Sequence, residues 1–485
     1  MATNPSISEL EQPLYAEHEK VYPQMVKGKY RRIKWAVMAV TLGIYYGLPF
    51  VRWDRGPNAP DQAVLVDMAH RRFYFFGIEI WPQEVYYVTG LLVLAAVGLF
   101  LANAIAGRLW CGYTCPQTVW TDLFIAVENF FEGDRRHRIQ LDKAPWTSNK
   151  LLRKIGKHAS WLFIAWWTGG AWVLYFADAP TLVWDLLTFQ APFQAYLWIG
   201  ILTTTTYVLA GFAREQVCIY MCPWPRIQAA LTDEYALNVT YRVDRGEPRG
   251  SLKRMKAAQA AGQPVGDCID CYQCVFACPT GVDIRDGLQL GCIQCGLCMD
   301  ACDSVMRKVG RPTGLISYDT DMNIKAREEG KSESFRPIRP RTLIYSVVLV
   351  VVGLFMLMTL YNRPFVDLTA QHDRNPQFVQ LSDGGVRNAY RINISNKRLF
   401  HRRFLVQVRG LEDAEVSIVG TSDDIIGEPA VEVGPDQTQE FRLLITVPKA
   451  DLPAEASTPI RIRIMEMETG EVAAVKDFFK SPGAR

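Results

Sequence analysis

Two cysteine runs with nearly identical spacing constrain the fold of this 485-residue chain more than any other feature. The first is Cys268-x₂-Cys271-x₂-Cys274-x₃-Cys278, followed by Pro279, and the second is Cys292-x₂-Cys295-x₂-Cys298-x₃-Cys302. This spacing is typical of bacterial two-cluster [4Fe–4S] domains, in which the fourth cysteine of each run binds the other cluster. The sequence therefore predicts one cluster held by Cys268, Cys271, Cys274 and Cys302, and a second held by Cys292, Cys295, Cys298 and Cys278.

Two other uses of cysteine fit this pattern less well. Structural zinc sites are built from paired C-x₂-C knuckles with four ligands each. Disulfide frameworks belong to small secreted domains. Asp303 replaces the proline after the second run, and this leaves the predicted ligands unchanged. We therefore expect a protein that transfers single electrons.

Apolar segments predict about five transmembrane helices. They run approximately over Trp35–Val51, Val85–Ile105, Ala159–Phe176, Tyr196–Phe212 and Leu343–Leu360. Pro180–Thr188 is too short to cross a bilayer and is expected at its surface. The net charge is only +3, and the basic residues lie beside apolar segments instead of forming one stripe. We therefore expect the lipid bilayer, and no nucleic acid, as a partner.

Lysine and arginine in the short loops predict the orientation. They are abundant before the first span and between the second and third spans, whereas loop 177–194 has none. We therefore expect the N-terminus and the cysteine runs in the cytoplasm and the C-terminus outside. The predicted domains are a polar cytoplasmic segment 1–30 with a loose stretch 1–22, a membrane domain 31–235, a cytoplasmic ferredoxin domain 236–340, a last transmembrane helix 341–361 and an outer domain 362–485.

The outer domain shows alternation of apolar and polar residues with a period of two. Examples are Tyr390-x-Ile392-x-Ile394 and Phe441-x-Leu443-x-Ile445-x-Val447, and glycine-rich turns lie between such stretches. Seven or eight strands in about 120 residues predict an immunoglobulin-like β-sandwich without its disulfide. The expected fold is thus a multidomain membrane protein: an all-α polytopic domain, an inserted two-cluster ferredoxin domain and a C-terminal sandwich.

The remaining four cysteines form two Cys-x₃-Cys-Pro pairs, one after each even-numbered span. The pairs are Cys111 with Cys115 and Cys218 with Cys222. If the two halves of the membrane domain pack about a pseudo-twofold axis, the pairs face each other. Asp122, Glu128 and Glu215 lie near them in sequence, and we expect these carboxylates on a solvated interfacial face.

The proline after each pair predicts a helix start, because proline favours the first helical position. Pro116 is expected to open a helix over about Gln117–Phe131, and Pro223 one that reaches Leu231. Cys115 and Cys222 would then be N-caps, where the helix dipole favours thiolate.

Thiolates select soft ions such as Cu(I) or Zn(II), and Met221 could add a thioether. A dithiol site for a redox metal ion is the preferred interpretation of the two pairs. A third iron–sulfur cluster, a zinc ion shared by all four cysteines, and apolar filler remain open.

The order of these parts resembles the CcoG family, also called FixG or RdxA, whose members are accessory proteins for assembly of cbb3-type cytochrome c oxidase. The resemblance covers nearly the whole chain and includes the segment CVFACPTGVDIRDGLQLGCIQCGLCMDACD and the stretch Arg71–Gly77. It implies a cupric reductase of the bacterial inner membrane that converts Cu(II) to Cu(I), with a periplasmic C-terminal domain. The cysteines that it implicates in copper handling are Cys111, Cys115, Cys218 and Cys222.

The resemblance also implies partners, namely oxidase subunits, copper chaperones or copper transporters, whereas the sequence leaves the electron donor unknown. Two alternatives stay open at this point. The chain could be a membrane ferredoxin that oxidises quinol and feeds a partner enzyme. It could also be a scaffold that binds copper without catalysis, with clusters that are only structural.

Overall fold

The computed structural model describes residues 20–57, 59–411, 413–420, 424–425 and 428–482. The described residues divide into two compact units. The first consists of 20–51 and 62–356, and the second consists of 52–61 and 357–482, without the residues missing from those ranges. The first 19 residues of the predicted N-terminal segment lie outside the described part of the chain.

The first unit is mainly helical. Its α-helices are Lys29–Gly47, Tyr86–Ala106, Leu109–Tyr113, Pro116–Glu132, Arg135–Lys143, Ser148–Val173, Ala179–Leu187, Phe193–Val208, Trp224–Leu231, Val243–Gly246, Leu252–Ala260, Gln273–Ala277, Leu297–Lys308, Asp321–Glu328 and Pro340–Tyr361. Two π-helical segments, Leu209–Ala213 and Val217–Met221, follow the helix Phe193–Val208. Among the described residues, four helical stretches are long and apolar enough to cross a membrane. They are Lys29–Phe50, Pro82–Ala106, Phe193–Ala213 and Pro340–Tyr361.

The predicted third span, Ala159–Phe176, is not among these four. Most of it lies in Ser148–Val173, which begins at the N-cap Thr147 and has basic residues along its first half. This helix packs along Phe193–Val208, and at Gly169 a Cβ atom would lie 3.0 Å from the carbonyl oxygen of Ile199. The count of five spans is therefore not confirmed.

The first unit also contains β-structure, so the prediction of an all-α membrane domain is wrong. An antiparallel sheet with the order β1-β2-β3 is formed by β1 (Val64–Asp67), β2 (Arg72–Phe75) and β3 (Ile78–Ile80). Arg71 and Phe76 have positive φ angles of 59° and 50° and flank β2, where the chain must reverse on both sides. Aromatic residues favour such strands, and Tyr74 is buried in this one.

The cysteine runs lie between the strands of a small antiparallel pair, β4 (Asn238–Tyr241) with β5 (Ile316–Asp319). These strands and the helix Leu297–Lys308 share one apolar core with Cys268, Cys274, Cys292 and Cys302. The segment after residue 20 packs onto this region, since the Gln24 amide donates to the Phe276 carbonyl at 2.7 Å. Lys20 Nζ and the Tyr22 hydroxyl each donate to Asp142 Oδ2 at 2.7 Å, so residues 20–22, which the sequence predicted to be loose, are held.

The second unit contains a two-sheet β-sandwich. Its strands are β6 (Val366–His372), β7 (Val379–Gln380), β8 (Val386–Asn396), β9 (Arg402–Arg409), β10 (Glu415–Ile418), β11 (Asp424–Ile425), β12 (Glu428–Val433), β13 (Gln437–Val447), β14 (Ser457–Glu466) and β15 (Val472–Lys480). One sheet has the order β10-β13-β8-β6 with β7 on β8, and the other has the order β11-β12-β9-β14-β15. Eight of these strands have at least four residues. The alternating residues Tyr390, Ile392 and Ile394 are fully buried between the sheets.

Candidate metal centres

One cavity brings together the four cysteines that the spacing assigned to the first cluster. Its lining includes Cys268, Cys271, Cys274 and Cys302. The remaining walls are apolar or aromatic apart from Arg285, whose guanidinium lies 4.2 Å from the centre of the Tyr272 ring. Tyr272 and Gln294 have positive φ angles of 58° and 55°, which place their backbones in the left-handed region. Such a conformation is needed in tight loops that direct several side chains inward.

A second cavity brings together the other predicted set. Its lining includes Cys278, Cys292, Cys295 and Cys298. Cys274 lines both cavities. Two similar groups could therefore occupy neighbouring sites on the two sides of one cysteine.

The donor set fits [4Fe–4S] clusters better than single ions. Four thiols around a largely apolar cavity are suited to a group with several iron atoms, which needs thiolate ligands and few other polar contacts. The eight cysteines are therefore the residues that would hold the clusters, and the clusters would supply one-electron chemistry.

The first Cys-x₃-Cys-Pro pair lies where two helices meet. Cys111 belongs to the short helix Leu109–Tyr113, and Cys115 is the N-cap of Pro116–Glu132. The prediction for Cys115 is confirmed, and the helix that Pro116 opens ends one residue beyond the predicted Phe131. The Cys111 thiol donates to Oε1 of the buried Gln228 at 3.3 Å.

The second pair has a different backbone. Cys218 lies in the π-helical segment Val217–Met221, and Cys222 is its C-cap. The following helix is Trp224–Leu231 with Pro223 as its N-cap, so the prediction that Cys222 caps this helix is wrong. A π-helix bonds residues five apart instead of four, and this shifts the start of the next helix.

The structure brings both pairs against the second cysteine run. Cys111 and Cys218 pack on one apolar cluster formed by Ile293, Cys295 and Leu297. A Cβ atom on Gly112 would lie only 3.1 Å from Cα of Cys295, so the absence of a side chain permits this approach.

Hydrogen bonds reinforce this contact. The Tyr113 hydroxyl donates to the Cys295 carbonyl at 3.1 Å. Arg108 donates from Nη1 to the carbonyls of Cys292, at 3.2 Å, and Leu290, and from Nη2 to the carbonyl of Pro225 at 3.0 Å. The arginine before the first pair thus connects the second cysteine run to the segment that follows the second pair.

The first thiol of each pair holds its proton tightly. Burial, followed by the neighbouring Cys115 and Cys218, raises the pKa of Cys111 to about 12, and Arg108 opposes this rise. Burial, followed by Cys115 and Cys222, raises the pKa of Cys218 to about 11. The four thiols are thus close enough to influence one another. A soft metal ion that binds there must displace these protons.

The carboxylates near the pairs are buried, so the prediction of a solvated face is wrong. Glu128 is 1% exposed and contacts Arg138 at 2.9 Å, Arg214 at 3.0 Å and Lys157 at 3.6 Å. Burial raises the pKa of Glu128, but these cations outweigh it and leave the pKa below its ordinary value. Glu215 is buried as well.

A further buried carboxylate, Asp122, contacts Arg31 at 2.8 Å and Lys34 at 3.7 Å. Lys34, Asp122 and Cys218 line one more cavity with Pro279, the residue after Cys278. The helical period of Pro116–Glu132 is the sequence signal that could have revealed this burial. Asp122, Ile125 and Glu128 recur on one face of the helix, and all three are buried.

Comparisons with known proteins agree with this organisation. The model of a 4Fe-4S dicluster domain matches residues 213–321. The model of an immunoglobulin-like fold at the C-terminus of FixG, described as a putative oxidoreductase, matches residues 356–482. The prediction of an iron–sulfur domain and a C-terminal sandwich is therefore confirmed.

Three relatives match over nearly their full length. The nitrogen fixation protein FixG of Rhizobium meliloti is 47% identical over 97% of this chain and 94% of its own. Protein RdxA of Cereibacter sphaeroides is 48% identical over 98% of this chain and 100% of its own length. Protein RdxB of the same organism is 49% identical over 94% of this chain and 95% of its own length. With these identities and coverages, this chain belongs to the FixG/RdxA family.

Proposed function

We propose that this membrane-associated iron–sulfur protein is a cupric reductase that supplies Cu(I) for assembly of a cbb3-type cytochrome c oxidase. Cys111, Cys115, Cys218 and Cys222 bind the copper, and the eight cysteines of the two runs hold the clusters. The orientation proposed from the loop charges places the site at the cytoplasmic side of the membrane.

One observation carries the proposal: the backbone of the first pair rests directly on the loop that includes Cys295. The contact of Gly112 with Cys295 and the shared packing of Cys111 and Cys218 on Ile293 make the two groups of cysteines neighbours. A redox centre and an acceptor ion must be adjacent for electron transfer. This arrangement supports a redox role for the clusters better than a purely structural one.

The chemistry balances with one electron. Cu(II), the substrate, gains one electron and becomes Cu(I), and the clusters that the eight cysteines would hold would supply this electron. The thiols that bind the product release their protons to water, which favours Cu(I) because soft thiolates bind it strongly. Gln228, which accepts the Cys111 proton in a hydrogen bond, holds that thiol in position.

The decisive experiment measures Cu(I) with a specific chelating dye after Cu(II) is added to anaerobic, photoreduced, full-length protein in lipid nanodiscs. We expect Cu(I) in excess of the thiols. Cys115→Ser with Cys222→Ser should abolish this excess and keep the cluster absorbance. The neighbouring pair Thr114→Ala with Tyr220→Phe is the matched control and should behave like the wild type.

Three outcomes would overturn the proposal. Cu(I) that never exceeds the thiols would favour the scaffold alternative. Cu(I) formation that persists after Cys268→Ser with Cys292→Ser would show that the clusters are not the source of electrons. Cluster reduction by quinol at a rate insensitive to copper would favour the alternative membrane ferredoxin.

The C-terminal sandwich is proposed to bind oxidase subunits or copper-transfer proteins in the periplasm. It forms a compact unit with its own core, which supports a separate role. Deletion of 367–485 should leave copper reduction intact and impair oxidase assembly in cells. Normal assembly after this deletion would refute the docking role.

A further inference from the structure

The first unit carries a basic surface beside the cavity of Cys268, Cys271, Cys274 and Cys302. The cations come from the helix Leu252–Ala260 and from the last turn of Leu297–Lys308. The members of this surface, named the basic patch, are Lys253, Arg254, Lys256, Arg307 and Lys308, and all five are exposed. None of them forms an ion pair with another described residue, and no Asp or Glu occurs from 248 to 266.

The basic patch is fixed next to the cavity by hydrogen bonds. The Gly250 amide donates to the Cys268 carbonyl at 3.2 Å, immediately before the helix that carries three of the cations. Arg307 follows Met306, which lines the cavity. Arg311, three residues after the end of Leu297–Lys308, donates to the Asp267 carbonyl at 2.6 Å and contacts Met255 of Leu252–Ala260, so the segment that follows one helix is joined to the other.

Three acidic residues around the same cavity form ion pairs, whereas Asp303, beside Cys302, accepts a hydrogen bond from the Gly314 amide and forms no ion pair with a described residue. Asp267 contacts Arg245 at 2.5 Å, and Asp270 contacts Arg285 at 2.6 Å. Asp283 also contacts Arg285, at 2.6 Å. The excess charge at this surface is therefore positive. Unpaired charges of one sign around a buried site steer partners of the opposite charge toward it.

The two cavities differ in their surroundings. The cavity with Cys295 is covered by the Gly112 segment, whereas the cavity with Cys268 borders solvent through Tyr272, which is 45% exposed. A partner that binds the basic patch thus lies beside the Cys268 cavity.

We propose that the basic patch is the docking site of the electron donor, and that the donor is a small acidic soluble protein with a one-electron iron–sulfur or flavin centre. The donor loses one electron and the iron–sulfur domain gains one; no bond is formed and no proton is needed. This inference rests on the proposed function only for the fate of the electron, because docking can be measured without copper.

The test uses full-length protein in nanodiscs of neutral phosphatidylcholine and a purified acidic [2Fe–2S] ferredoxin as the probe. Lys253→Glu with Lys256→Glu lowers the net charge of the five-residue basic patch by four units, from +5 to +1. The matched control is Arg461→Glu with Lys476→Glu, which makes the same charge change at a cross-strand pair of exposed residues in the sandwich. Unchanged cluster absorbance shows that the iron–sulfur domain is intact in each variant.

Two readouts are expected to agree. Binding of the ferredoxin at low ionic strength should weaken about tenfold or more in the patch variant and stay unchanged in the control. The rate of cluster reduction by reduced ferredoxin should fall with added salt in the wild type and lose most of this salt dependence in the patch variant. Wild-type binding and wild-type salt dependence in the patch variant would overturn the proposal.

Two additional measurements separate protein docking from lipid binding and from copper reduction. If charge reversal changes cluster reduction only in nanodiscs that contain phosphatidylglycerol, the patch binds lipid and the proposal is wrong. Copper reduction by photoreduced protein bypasses the docking step, so the patch variant should form Cu(I) at the wild-type rate. Absence of Cu(I) from the photoreduced wild type would refute the proposed function and leave the docking result standing.

Discussion

The segment Cys111–Cys115 and the segment Cys218–Cys222 share spacing and a following proline, but their backbones differ. The first is α-helical and ends at a helix N-cap, whereas the second is π-helical. The preceding arginines differ as well: Arg108 has φ −89°, and Arg214 has φ 38°, a left-handed conformation that costs about 1–3 kcal/mol for a residue with a side chain.

The partners of the two arginines explain this difference. Arg108 donates to carbonyls of the second cysteine run, and Arg214 donates to the Gly211 carbonyl and contacts the buried Glu128. The second residue of each segment also contacts the cluster loop in a different way. Gly112 lets its backbone approach Cys295, whereas Ile219 projects its side chain toward Gly291. The first segment is thus fixed to the cluster loop by a close backbone approach and by hydrogen bonds from Arg108 and Tyr113. The second contacts the loop through the Ile219 side chain, and its preceding arginine is held by Glu128.

Replacement of the two arginines tests this division most strongly. Arg108→Leu leaves buried carbonyls without their donors and should destabilise the cluster loop by about 3 kcal/mol. This corresponds to roughly 100-fold faster loss of cluster absorbance in the presence of an iron chelator. Arg214→Leu is the matched control and should leave this rate within a few-fold of the wild type. Equal bleaching rates for the two variants would contradict the comparison.

A methyl group at Gly112 tests the backbone contact. Gly112→Ala places a Cβ atom 2.8 Å from the Ile293 carbonyl oxygen, and the segment must move at a cost of about 2 kcal/mol. We expect slower Cu(I) formation and faster hydrogen exchange in 109–115. Gly98→Ala, in a span position with open space, is the control. Unchanged exchange in 109–115 would show that the segment accommodates the methyl group without moving.

The raised thiol pKa values are a feature that the two segments share. At pH 7–9, Cys111 and Cys218 are protonated because their pKa values, about 12 and about 11, lie above this range. The thiolate fraction, and with it the rate of alkylation by iodoacetamide, should rise about tenfold per pH unit. Mass spectrometry of the two peptides measures this rate. A plateau below pH 9 would contradict the burial of these thiols.

Shortening the Ile219 side chain should have the smallest effect on copper reduction. Ile219→Val removes one methylene near Gly291 and should cost about 1 kcal/mol. The copper reduction rate is expected to change less than twofold, because the first pair keeps its own contact with Cys295. The rate is measured in the assay and at the temperature used for Gly112→Ala, so that the rates of the two variants can be compared directly. An effect larger than that of Gly112→Ala would reverse the roles assigned to the two segments.

The features that could be predicted from the sequence were those that depend on the spacing of residues close together in the chain. Cysteine intervals identify the iron–sulfur domain, and the period-two alternation around Ile392 identifies the sandwich, because each depends on residues a few positions apart. Burial of Glu128 and Asp122 was missed, because their cationic partners, which include Arg31 and Arg214, come from distant segments. The π-helix at Val217–Met221 was missed as well, since no residue pattern marks it.

The path of residues 21–28 has a consequence for biosynthesis. The Gln24 amide bonds to the Phe276 carbonyl, and the Arg31 amide donates to the carboxylate of Asp300 at 2.8 Å. Gln24 and Arg31 must therefore wait for partners that are translated some 250 residues later. Docking of this leading segment can be completed only after the cysteine runs have emerged, and a bulky fusion placed close to residue 20 would interfere with the final step of maturation.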